Sequence, residues 1–235
     1  MAKGSFTKHV GSRQTRVKAV IFDLDGTLIH SAVDFTKLKR ETISLLADKG
    51  LPAKNFSTDM RSYDIMFLAS ELFRKKGLTE KELAVTRKKI EAIWNRVELE
   101  SVGIAAPIEG VKETLLRLRK HGLKIGIVTR GCRAYAIKTL KTTSLLSMVD
   151  LIVGRDDVPE SKPCPEPLMK AVEALGLKAE EAVMVGDNVD DVQCAQGAKV
   201  RFVGVKSEAL TAETIRNLKC EVLLEDLGDL DALLI

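Results

Sequence analysis

Hydrophobic positions along the chain fall into two kinds of pattern. Short apolar runs recur at 17–22, 123–128, 151–154, 182–185 and 201–205, rich in Val, Ile and Leu. Runs of this length bounded by turn residues read as buried parallel strands. Between them lie stretches with apolar residues at helical spacing. One, near 109–121, puts Val111, Leu115, Leu116 and Leu118 on one face and stops at Gly122. Others fall near 133–142, before Leu175-Gly176, around Ala195 and near 211–219. Strands alternating with helices imply parallel pairing and right-handed crossovers. The pattern predicts an α/β fold with a doubly wound, Rossmann-like parallel sheet.

One block breaks the alternation. Helical patterns at 34–49, 58–76 and 79–100 follow one another with no strand between them, the last opening on the capping box Thr79-x-x-Glu82. This block reads as an inserted α-helical cap. The expected organisation is a basic, disordered tail at 1–17, an α/β core from 18–30 and 105–235, and a helical cap at 31–104.

Composition narrows the class. Hydrophobic residues at 45% and charged residues at 30% describe a globular chain. No apolar run reaches the roughly 20 residues needed to span a bilayer, and the first residues hold no apolar signal core. The expectation is a cytoplasmic protein with no membrane partner. The net charge of +4 resides in the tail, where Lys3, Lys8, Arg13 and Arg16 meet no acid. The remainder is balanced, so no nucleic-acid partner is expected. Cys132, Cys164, Cys194 and Cys220 form no CxxC pair, which argues against zinc and for four reduced thiols.

The candidate chemistry lies at the strand ends. The first strand runs into Asp23-Leu24-Asp25-Gly26-Thr27, the second into Thr129, and the fourth into Gly186-Asp187, with Asp190 and Asp191 close behind. Lys162 follows the third strand. In a parallel sheet these ends share one edge, where open α/β folds bind ligands. Singly, Thr129 reads as a helix cap, Lys162 as a solvated loop lysine and Asp191 as a helix-start charge. Together they read as a site. Several carboxylates in one crevice call for a cation, and hard oxygen ligands select Mg2+. A lysine and turn amides beside it suit a phosphoryl group. One aspartate can attack phosphorus, and another can protonate the leaving group and then activate water.

These motifs, in this order, resemble those of the haloacid dehalogenase-like superfamily. The insert resembles the helical cap of its phosphoglycolate phosphatase and β-phosphoglucomutase branch. The resemblance implies Asp23 as nucleophile and Asp25 as general acid and base. Mg2+ would be held by Asp23, the Asp25 backbone carbonyl and Asp187. Thr129 and Lys162 would bind the phosphoryl group, with Arg130 and Gly131 beside them, and Asp191 would orient Lys162, Asp190 being the alternative. Arg61 and Tyr63 of the cap are candidates for leaving-group recognition. His30 and Arg130-Gly131 depart from the family pattern. The implied protein is a monomeric or homodimeric phosphatase for a small phosphorylated metabolite, phosphoglycolate-like or a sugar phosphate. A sugar phosphomutase and a catalytically silent binding protein are the alternatives.

Overall fold

The structure is a computed structural model and describes residues 16–218, 220 and 222–234. The basic segment expected to be disordered, 1–17, lies outside the described residues except for Arg16 and Val17. In chain order the elements are β1 (Ala19–Phe22), β2 (Ile29–His30), α1 (Phe35–Asp48), α2 (Ser62–Lys75), α3 (Glu80–Glu100), β3 (Ala106–Pro107), α4 (Val111–Lys120) and β4 (Lys124–Val128). They continue with α5 (Arg133–Thr142), β5 (Leu151–Val153), α6 (Glu166–Ala174), β6 (Ala182–Gly186), α7 (Val189–Ala198), β7 (Arg201–Val205), α8 (Ala212–Asn217), β8 (Leu223–Leu224) and α9 (Leu230–Leu234).

Six strands form one parallel sheet in the order β5-β4-β1-β6-β7-β8. All four residues of β1 are fully buried, as a central strand with both faces covered requires. Ala19, Ile21, Ala182 and Met184 pack with Leu168 and Ala171 of α6 and Cys194 and Ala195 of α7. Val20, Phe22, Val183 and Val185 alternate with them and are equally buried. Phe22 stands opposite Ile127 on one side and Val185 on the other. This register brings the chain segments after β1, β4 and β6 to one sheet edge. The fold is the doubly wound α/β architecture the sequence predicts.

Residues Ala32–Ile104 form a second compact unit. Leu46, Ile65, Phe73 and Ile90 make its core, and the Trp94 indole donates to the Thr42 hydroxyl at 2.8 Å. Asp34 caps α1 through the Lys37 amide at 2.7 Å. Thr79 and Glu82 form the capping box at α3. Two local features differ from the sequence reading. The second helix starts at Ser62 rather than near 58, because the Ser57 hydroxyl binds the Asp59 amide at 3.1 Å and turns the chain there. β2 and β3 pair antiparallel at the two chain crossings into the inserted unit, a ribbon too short to leave a periodic pattern. None of the four cysteines is joined in a disulfide. Among the described residues no helix is long and apolar enough to cross a membrane.

The capping box makes a direct prediction. Thr79→Ala removes the oxygen that accepts from the Glu82 amide and should cost about 1 kcal/mol. That is roughly 2–4 °C of Tm in a chain of this size if unfolding is cooperative, read by calorimetry.

Candidate active site

Asp23, Thr129 and Asp187 directly follow β1, β4 and β6 of the first unit. Asp23 follows β1 directly, its amide donating to the Val185 carbonyl at 2.8 Å. The turn after it depends on Gly26, whose φ is +87° and whose Cα faces Asp187. A Cβ at this position would come within 2.4 Å of Asp187 Oδ2. The glycine of the Asp-x-Asp-Gly-Thr motif thus supplies both the left-handed turn and the space for the second carboxylate. Thr27 donates to Asp187 Oδ1 at 3.2 Å, and the Ser207 hydroxyl fixes the Asp187 carbonyl at 2.6 Å.

Lys162 comes from the loop before α6 and is 1% exposed. Its ammonium donates to Asp23 Oδ1 at 2.5 Å and to Asp191 Oδ1 at 2.6 Å. The other Asp191 oxygen accepts from the Asn188 amide at 3.1 Å, closing the capping box that starts α7. Asp190 faces a different cation, the Arg130 guanidinium. The two neighbouring aspartates thus divide the work. Asp191 is the one that meets Lys162.

Asp23, Asp187 and Asp191 each offer an oxygen, all within 4.8 Å of one another. Three carboxylates against one ammonium leave an excess of two negative charges if all are ionised, and burial makes that costly. Burial, reinforced by the Asp23 and Asp191 charges, pushes Asp187 up to about 7. Burial and the Asp23 charge likewise push Asp191 up to about 6, although Lys162 pulls against them. Lys162 is held above its usual value because Asp191 and Asp23 outweigh its own burial. An all-oxygen set short of positive charge fits a hard divalent cation such as Mg2+.

Thr129 is buried after β4, and its hydroxyl accepts from the Gly131 amide at 3.0 Å. The Arg130 carbonyl is held by the buried Arg155 guanidinium at 2.6 Å and the Gly131 carbonyl by the Arg155 amide at 2.9 Å. Asp25 accepts from the Tyr135 hydroxyl at 2.6 Å. Neither Arg155 nor Tyr135 was marked by the sequence pattern. His30 is exposed on the β2–β3 ribbon. Arg61 and Tyr63 belong to the second unit, where the Arg61 guanidinium pairs with Asp64 at 2.8 and 2.9 Å and Tyr63 is exposed.

The haloacid dehalogenase-like hydrolase family model matches residues 20–205. A pyrophosphatase PpaX from Halalkalibacterium halodurans is 33% identical over 214 residues, covering 91% of this chain and 95% of that protein. Among solved structures, a predicted phosphoglycolate phosphatase from Haemophilus somnus superposes with a TM-score of 0.63 at 24% identity, covering 95% and 99% of the two chains. The β-phosphoglucomutase of Clostridium difficile gives 0.64 at 18% identity, with 91% and 93% covered. The chain belongs to the haloacid dehalogenase-like hydrolase family. It is an enzyme of the phosphatase kind within it.

The raised carboxyls set the pH dependence of stability. Their folded values exceed the ordinary 3.8, so between about pH 4 and 7 the folded chain holds more protons than the unfolded one. Metal-free protein should therefore lose Tm as pH rises from 5 to 7.5, and Asp187→Asn should flatten the fall. Mg2+ should raise Tm most at the upper end of this window. A metal-free Tm that climbs with pH and is unaffected by Asp187→Asn would contradict this electrostatic reading.

Proposed function

We propose that the chain is a Mg2+-dependent phosphatase for a small phosphorylated compound, acting through a phosphoryl group carried on Asp23. The observation that supports it most is the buried Lys162 ammonium bridging Asp23 and Asp191 beside Asp187. This places a cation against a would-be nucleophile in a cluster still short of positive charge. Asp23, Asp187 and the Asp25 backbone carbonyl would hold the metal. Bound there, Mg2+ would neutralise the cluster and polarise the phosphoryl oxygens.

The residues divide the reaction between them. Lys162 and the Thr129–Gly131 turn hold the phosphoryl oxygens, with the Arg130 guanidinium at their side. Asp23 attacks phosphorus, the bond to the leaving oxygen breaks, and Asp25 gives that oxygen a proton. Asp25 then takes a proton from water as the water oxygen attacks the same phosphorus, freeing phosphate and restoring Asp23. Asp191 keeps Lys162 in place throughout.

The substrate is a small phosphate monoester, phosphoglycolate-like or a sugar phosphate, or inorganic pyrophosphate. The relatives named pyrophosphatase, which match over nine-tenths of the chain, support including the last. Phosphate release should be measured from an aryl phosphate, a phosphorylated hydroxy acid, sugar phosphates and pyrophosphate. Release should require Mg2+, stop with a chelator, and fall on the order of 10³-fold or more in Asp23→Asn. Release that persists in Asp23→Asn would overturn the assignment.

A further inference from the structure

Tyr135 is the largest fully buried side chain among the described residues, and nothing in the reaction above uses it. It lies in the first turn of α5, where its amide donates to the Cys132 sulfur at 3.4 Å. Its ring approaches Gly131 closely. A Cβ on Gly131 would come within 2.6 Å of the Tyr135 Cδ1 atom. The glycine beside Thr129 is therefore the space that admits this ring. A buried phenol must place its hydroxyl on a partner. Here the partner is the Asp25 carboxylate, met at 2.6 Å across 110 residues of sequence.

We propose that Tyr135 is a positioning residue for proton transfer by Asp25. The inference rests on the acid–base role assigned to Asp25 above. A carboxyl group at the end of a short side chain turns broadly about its last bond. The Tyr135 hydroxyl, on a ring wedged against the Gly131 backbone, engages Oδ1 and fixes that rotation. The carboxyl is then held in one orientation for moving the proton. As the Asp23–phosphorus bond forms, the electron pair of the breaking bond goes to the leaving oxygen, which takes the proton from the Asp25 carboxyl. In the second half the Asp25 carboxylate recovers a proton from the attacking water. Misplacement of a transferring group by about 1 Å can cost on the order of 100-fold.

A tyrosine that only fills the core would act on stability and leave the chemistry alone. The leaving group distinguishes the two, since a poor one needs the proton and a good one does not. We would measure kcat/KM at saturating Mg2+ for phosphates graded from nitrophenyl to alkyl leaving groups, in wild type, Tyr135→Phe and Asp25→Ala. Tyr135→Phe should change the best leaving group by less than about threefold and the poorest by about tenfold or more. Asp25→Ala should show the same selective loss, larger. A uniform loss, or none, in Tyr135→Phe with the selective loss intact in Asp25→Ala would overturn the role of Tyr135 alone. No selective loss in Asp25→Ala would overturn the acid–base assignment and this inference with it.

Discussion

Three carboxylates with oxygens within 4.8 Å of one another repel, and the sheet edge around them is arranged to hold them there. Lys162 is the principal restraint. Buried and shared between Asp23 and Asp191, it ties the end of β1 to the start of α7 through a residue from a third segment. Its loss would leave two buried carboxylates without their cation, the situation in which broken ion pairs are most damaging. The excess negative charge that remains is the physical reason this edge suits a divalent cation.

The fold keeps that cluster rigid by burying what lies behind it. β1 sits at the centre of six parallel strands with every residue inaccessible, so Asp23 projects from the least deformable part of the unit. The turns beyond the strands are pinned separately. Gly26 leaves room for Asp187, Ser207 holds the Asp187 carbonyl, and Arg155 holds two successive carbonyls after Thr129. Function is carried on loops, and each loop is fixed by bonds to another strand's loop.

Much of this was legible in the residues. Apolar runs that stop abruptly at Asp, Thr or Gly located the strands, and parallel pairing then required their ends to share an edge. The sequence favoured Asp191 for the place beside Lys162 and left Asp190 as the alternative, because both follow Asp187 closely. The choice turns on which aspartate faces Lys162 and which faces Arg130. Tyr135 and Arg155 were not legible. A tyrosine among alanines and leucines reads as core, and an arginine in a polar loop reads as solvated. Each acts through a contact formed only when distant segments meet. The one available signal was Gly131, a small residue beside Thr129 marking a close approach. The β2–β3 ribbon was missed for a simpler reason, since two residues per strand carry no period.

The most direct measurement is rapid acid quench of the Mg2+-loaded enzyme during turnover, followed by mass spectrometry of the peptide that contains Asp23. The proposed reaction requires a phosphoryl adduct on Asp23 that forms and decays no slower than the enzyme turns over. Phosphate release with no adduct at any quench time, or an adduct on another residue, would contradict it.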